Sequence, residues 1–194
     1  MVDKKNITGI ILAGGQSSRM GLDKGLLKFK DRSFIEHIID TIRPLVHTII
    51  IVSDHPEHGQ FQYKRVEDHI KNAGPLAGLY SGLSQSETEL NLVISCDVPL
   101  IRTEVLKRLI VEKDIENQVV QFSSEGKTMP LIALYTKNCA NHCLNLLNQD
   151  ERRLRVAVKG LNVKTIPLES QFKDCVQNIN TPLDLKTINH DTEH

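Results

Sequence analysis

ITGIILAGGQSSRMGLDKGLLKF, residues 7–29, joins an apolar strand directly to a glycine-rich, basic turn, and the rest of the chain is organised around that junction. Ile10, Ile11 and Leu12 make a β-branched and aliphatic run suited to a strand buried on both faces, as in a parallel sheet. Ala13, Gly14 and Gly15 end it with almost no side chain. Paired glycines let the backbone take positive φ and let a ligand approach main-chain N–H groups, which is how a loop after a strand binds phosphate oxygens. Arg19 and Lys24 add the fixed positive charge that a triphosphate needs.

Two familiar phosphate loops are excluded by spacing. A Walker A loop needs GxxxxGK[ST], whereas Gly15 and Gly21 enclose five residues and Leu22, Asp23 and Lys24 follow. A dinucleotide fingerprint needs GxGxxG, and Gly14, Gly15 and Gly21 do not have that spacing.

Downstream, helix and strand patterns alternate. Ser33 caps an expected helix through Ile42, with Phe34, Ile35, Ile38, Ile39 and Ile42 on one face, and Pro44 stops it. TIIIV (48–52) reads as a second buried strand and residues 63–67 as a short third one. In AGPLAGLYSGL (73–83), Leu76, Leu79, Tyr80 and Leu83 recur at helical spacing, while the small residues opposite suit close packing or the approach of a ligand. NLVIS (91–95) is the next strand, ending in Cys96-Asp97-Val98-Pro99. Thr103 is read as the cap of a helix with Val105, Leu106, Leu109 and Ile110 on one face.

Residues 118–122 and 128–135 read as strands joined by the turn SSEGK, too short for anything but an antiparallel pair. Helical patterns at 138–147 and 151–158, an edge strand at 163–166 and a short helix after Pro182 complete the pass. The pattern predicts an α/β fold, a mixed sheet that is mostly parallel, and one domain over residues 1–194.

Composition narrows the function. With 24 basic and 24 acidic residues the formal net charge is zero, and no run of like charge suggests nucleic-acid or membrane binding. No apolar stretch approaches the roughly 20 residues of a membrane helix, and the N-terminus lacks a signal-peptide pattern, so a cytoplasmic protein is expected. The four cysteines contain no CxxC pair. Cys139, His142 and Cys143 could share a helix face, but nothing completes a tetrahedral zinc site. Trp is absent and aromatics are 4%, a poor basis for a base-stacking platform.

The loop after the first strand, Asp68 after the third and Asp97 after the fourth all fall at one edge of the expected sheet, where open α/β sheets leave a ligand crevice. A nucleoside triphosphate carries roughly four negative charges, so Asp97 beside it calls for a divalent cation between them. Mg²⁺ uses one or two carboxylates plus phosphate oxygens, which makes Asp97 its natural ligand.

LAGGxSxRMGxDK, EDHIKNAGPLAG, SCDVPL, Glu151-Arg152-Arg153 and NINTPLDL, in that order, resemble the motifs of the molybdenum cofactor guanylyltransferases over nearly the full chain. The resemblance implies a Rossmann-like three-layer nucleotidyltransferase fold and transfer of GMP from GTP to molybdenum-loaded molybdopterin, with Mg²⁺ and release of pyrophosphate. It implies nucleotide contacts at Leu12, Ala13, Gly14, Gly15, Lys24, Asp68 and Asp97, with Arg19, Lys24 and Asp97 as catalytic residues and Asp97 as the metal ligand. Arg152, Arg153, Asn178 and Asn180 would lie toward the pterin. Each keeps a second reading: Asp68 as a turn cap, the asparagines as fixing the terminal loop, the arginines as a solvated helix face.

Two positions depart from the family pattern. Its frequent Asn at the end of the second strand is replaced by Val52, Ser53 and Asp54, and its His before Pro130 by Met129. No protein nucleophile is required, since the pterin's terminal phosphate can attack the α-phosphorus in line. A CTP-using relative of the same fold is the nearest alternative, and a regulator without chemistry would be expected to lack Lys24 or Asp97. Protein partners that deliver the pterin or receive the product are left open.

Overall fold

The computed structural model describes residues 2–14, 24–71 and 73–190. Its elements are β1 (Ile7–Leu12), β2 (Lys28–Phe29), β3 (Arg32–Ser33), α1 (Phe34–Ile42), β4 (Thr48–Val52), β5 (Lys64–Val66), α2 (Gly74–Gln85), β6 (Leu90–Ser95), α3 (Thr103–Val111), β7 (Val119–Ser124), β8 (Lys127–Thr136), α4 (Cys139–Asn148), α5 (Leu154–Lys159), β9 (Val163–Pro167) and α6 (Pro182–His190).

Seven strands form one sheet in the order β5-β4-β1-β6-β8-β7-β9. All run one way except β8, which is antiparallel to both β6 and β7. The chain leaves β1 toward β4 and β5 on one side and returns to β6 on the other. That reversal of winding places a crevice over the carboxyl ends of β1 and β6. These ends are level: Leu12 pairs with Val52 and with Ser95, and Val52 with Val66.

Alternation along the strands divides the core between the two faces of the sheet. Ile7 and Ile11 of β1, Ile49 and Ile51 of β4, and Leu92 and Ile94 of β6 pack with α1 and α3. Ile10 and Leu12, Ile50 and Val52, and Val93 pack with α2, α4 and α5. Each fully buried aliphatic side chain contributes about 1.5–3 kcal/mol relative to exposure, so both faces of the central strands stabilise the fold. On α2 the close approach falls at Gly82, where a Cβ would lie 2.5 Å from Ile10.

Ser33 accepts from the Glu36 N–H while the Glu36 carboxylate accepts from the Ser33 N–H, a reciprocal cap that starts α1. At α3 the sequence reading needs correction. Arg102 is the N-cap, and Thr103 donates its hydroxyl to the Thr41 carbonyl instead, tying α3 to α1. That tertiary acceptor outcompetes the local cap.

β8 contains Pro130, which cannot donate to the ladder. Pairing with β7 jumps from Ala133–Gln121 to Met129–Phe122, so the strand bulges at 130–132. The buried Tyr135 donates its hydroxyl to the Pro130 carbonyl at 2.8 Å and holds the bulge. A third, smaller apolar cluster unites Leu27, Phe29 and Phe34 with Ile179 and Ile188, fastening the terminal segment onto the turn that follows the glycine loop. Among the described residues, no helix is long and apolar enough to cross a membrane.

Candidate active site

A cleft of about 550 Å³ opens at the carboxyl edge of the sheet, lined by Leu12, Gly14, Asp54, Asp68, Gly78 and Leu131 among others. Main-chain bonds continue the strands into its floor. Ala13 donates to the Val52 carbonyl at 2.9 Å, Cys96 to the Leu12 carbonyl at 2.9 Å, and Ser53 to the Val66 carbonyl at 2.8 Å. The segments carrying Gly14, Asp54, Asp68 and Asp97 therefore leave the sheet side by side. Leu12 and Ala13 are buried and Gly14 is exposed. Gly15 and Arg19 lie outside the described residues.

Asp68 is half-buried. Its Oδ2 lies 3.6 Å from the position a Gly14 Cβ would take, and its Oδ1 3.5 Å from that of Gly78. Oδ1 is buried without a hydrogen-bond partner. Burial, and next the neighbouring Asp54 charge, push the Asp68 carboxyl up to about 6, against the pull of Lys71 and His69. The Asp68 N–H donates to Asp54 Oδ1 at 3.1 Å, so it is Asp54 that caps this turn.

Asp97 follows β6 in a turn. Its Oδ1 is buried and also lacks a hydrogen-bond partner, while its main-chain carbonyl accepts from the Ile179 N–H at 2.8 Å. A buried carboxylate oxygen with no donor costs free energy unless a cation or ligand donor completes it, so the residue fits a hard divalent ion. No cluster of three metal-ligating side chains exists among the described residues. A cation held at Asp97 would draw its other ligands from phosphate oxygens and water.

Lys24 opens a one-turn 3₁₀ helix after the glycine loop, and its ammonium donates to Asn180 Oδ1 at 2.5 Å. Asn180 is placed in turn by the start of α6. Asp184 Oδ2 accepts from the Asn180 and Thr181 N–H groups at 2.8 Å each, and Thr181 Oγ1 accepts from the Asp184 N–H at 3.1 Å. This is a reciprocal cap with Pro182 in the first turn, and it accounts for the spacing of NTPLD. Asn180 thus meets Lys24, whereas Asn178 is exposed.

Arg152 and Arg153 stand on the exposed link between α4 and α5. Arg152 pairs with Asp150 at 2.8 Å and Arg153 with Glu151 at 2.5 Å. The hydrogen bond from Arg153 holds the Glu151 carboxyl down at about 2. The link borders the cleft through the Arg152 main chain, whose carbonyl lies 4.0 Å from a Cβ position at Gly74. Gly74 opens α2 with φ of 69°, a conformation that favours glycine. The histidine of the Cys139-His142-Cys143 group is used internally: His142 Nε2 is 3.0 Å from the Ala157 carbonyl, and burial pushes the Cys143 thiol up to about 12.

Sequence reasoning missed Asp54 as a wall of the cleft, Lys71 as its partner and Asp184 as the support of Asn180. Asp54 had a readable signal in its place just after a strand that ends beside the glycine loop. Leu131 reaches the cleft because of the bulge, which only Pro130 foreshadows.

Comparison with known proteins accords with this geometry. The profile described as "MobA-like NTP transferase domain" matches residues 9–164. A protein of Flavobacterium johnsoniae named "Probable molybdenum cofactor guanylyltransferase" is 37% identical over 185 residues, covering 95% of this chain and 97% of that one. The "Molybdenum cofactor guanylyltransferase" of Vibrio vulnificus is 30% identical over 179 residues, covering 91% of each. In fold, the crystal structure of molybdopterin-guanine dinucleotide biosynthesis protein A from Archaeoglobus fulgidus superposes with a TM-score of 0.81 at 23% identity, over 96% of this chain and 98% of that one. With a matched profile over most of its length and a nucleotide-sized cleft at the switch point of its sheet, the chain is a nucleotidyltransferase and belongs to the MobA-like NTP transferase family.

Proposed function

We propose that the protein transfers GMP from GTP to molybdenum-bearing molybdopterin, forming the guanine dinucleotide cofactor and releasing pyrophosphate, and that it does so as one cytoplasmic domain over residues 1–194. The observation that carries this reading is the stitching of the terminal segment. Asn180 accepts from the Lys24 ammonium and the adjacent Ile179 N–H donates to the Asp97 carbonyl, which supports a reading in which cation and carboxylate serve one site.

Leu12, Ala13, Gly14 and Gly15 present main-chain groups to the nucleotide, and Lys24 with Arg19 neutralises its phosphates. Mg²⁺ at Asp97 supplies further neutralisation of the leaving pyrophosphate. Asp68 faces the base, its ionised carboxylate accepting from guanine N1–H and N2–H₂. Asn178, Arg152 and Arg153 lie toward the pterin. Catalysis then consists of holding two anions in line and offsetting their charge, with no protein nucleophile. Protein partners that hand over the pterin or take the product belong to the same reading.

The test is single-turnover transfer to molybdenum-loaded molybdopterin with GTP, CTP and ATP in parallel. Fastest transfer is expected from GTP. Faster transfer from CTP would assign the cytidylyl reaction instead.

A further inference from the structure

The Asp68 loop is braced through Asp54, a wall of the cleft, and by charged side chains beyond it. Lys71 Nζ donates to Asp54 Oδ1 at 2.5 Å and to Glu67 Oε2 at 3.3 Å, and Arg65 pairs with Glu67 at 3.1 Å while donating to the Ser53 carbonyl at 2.8 Å. On the inner side the His69 N–H donates to the buried Ser81 hydroxyl of α2 at 2.9 Å. Asp54 Oδ1 thus receives both the Lys71 ammonium and the Asp68 N–H, and the Asp68 carboxylate is left turned between Gly14 and Gly78 with a buried, unpartnered Oδ1.

We propose that the Lys71–Asp54 pair is a positioning device for base recognition: it aims the Asp68 carboxylate as a double acceptor at a ligand edge carrying two adjacent N–H donors. This rests on the reading of GTP as substrate. It goes beyond that reading in assigning guanine selectivity to two residues that act through Asp68 rather than by contact of their own.

The electrostatics run the same way. Burial raises the Asp54 carboxyl, but the Lys71 ammonium, the Asp68 N–H and Arg65 outweigh it and hold Asp54 below its ordinary value, ionised throughout the neutral range. A fixed charge at Asp54 opposes ionisation of Asp68, and Lys71 and His69 favour it. Ionised, Asp68 accepts two bonds from guanine; protonated, it offers one acceptor fewer and a donor that guanine's edge repels.

The experiment measures affinity of the full chain for GTP and for inosine triphosphate, which lacks the 2-amino group, between pH 5 and 8. The ratio of the two is read at each pH, because titration of the shared triphosphate cancels in it. A His69→Gln background removes the neighbouring imidazole that acts on the Asp68 carboxyl. The expected ratio is about tenfold at pH 8, the worth of one hydrogen bond to a charged group, and falls toward unity as pH drops through about 6. Asp54→Asn keeps an acceptor for the Asp68 N–H but removes the charge, so the fall moves to lower pH. Asp54→Ala removes both, and the ratio is expected to drop severalfold even at pH 8.

An Asp54→Asn profile superimposable on the parent or moved to higher pH overturns the inference, as does an undiminished ratio in Asp54→Ala. In those cases GTP binding itself stands. Failure of the parent to bind GTP at any pH overturns the substrate reading as well.

Discussion

Lys24 and Asn180 are joined side chain to side chain at 2.5 Å although they stand 156 positions apart in sequence. The contact ties the segment around Asn180 to the residue that opens the turn after the glycine loop, and it gives that segment a measurable role. Lys24→Ala is expected to weaken GTP binding by about 1.5–3 kcal/mol, roughly 10- to 150-fold, as loss of a charge-assisted contact. Unchanged affinity by calorimetry together with unchanged turnover would refute the assignment.

Asp184→Ala removes the acceptor of two main-chain N–H groups at the start of α6. A lost cap costs about 0.5–2 kcal/mol, visible as a small fall in Tm. Turnover is expected to fall more than this predicts, because Asn180 no longer holds Lys24. Asp184→Asn, which retains an acceptor, should recover most of the turnover. An Ala variant that loses stability but keeps wild-type kcat would make the cap purely structural.

Asp97→Asn keeps the shape of the side chain and removes its charge. Metal-dependent pyrophosphate release is expected to be abolished with Tm nearly unchanged. Wild-type turnover at saturating Mg²⁺ would show that the metal is held elsewhere.

Asp68 links stability to pH with an unusual sign. Its folded carboxyl is raised to about 6 from an ordinary 3.8, so between those values the folded state holds the proton more firmly than the unfolded one. Its contribution is therefore favourable below about pH 4 and turns into a cost as pH rises through 6. Asp68→Asn should raise the Tm of the free protein at pH 7.5 by a few degrees, about 1 kcal/mol once screening at a half-buried site is allowed for. The gain should vanish near pH 4, and GTP affinity should drop at neutral pH. Equal Tm values at both pH values would remove the linkage.

Tyr135→Phe deletes the hydroxyl that holds the β8 bulge. A cost of about 0.5–1.5 kcal/mol in urea unfolding is expected, with weaker nucleotide binding because Leu131 lines the cleft. An unfolding midpoint equal to wild type would mean that Pro130 alone fixes the bulge.

Much of this architecture could be read from the chain because the strong signals are local. Residues 48–52 and 91–95 are uninterrupted apolar runs, and Ser33 with Glu36 spells its cap outright. The hairpin of β2 and β3 escaped notice because its turn is Lys30-Asp31, both at positive φ, without the glycine that usually marks such turns. Thr103 misled because a threonine before an apolar face looks the same whether its hydroxyl bonds its own helix or the Thr41 carbonyl. Asp68 was legible as a cleft residue from its place after a strand. The bonds between Asp54, Lys71 and Asp68 were not, since they depend on how two loops lie together.

The terminal segment also ties function to the order of synthesis. β1, β4, β5 and β6 all precede residue 96, so a chain emerging from the ribosome can assemble the parallel half of the sheet early. Asn180 and Asp184 emerge well after them. Until they do, Lys24 lacks its partner, and a chain halted before Asn180 would leave that lysine without its side-chain acceptor. Removal of α6 would keep every strand and Asn180 itself but delete Asp184, the main-chain anchor of Asn180, so the contact with Lys24 should loosen in a chain whose sheet is whole.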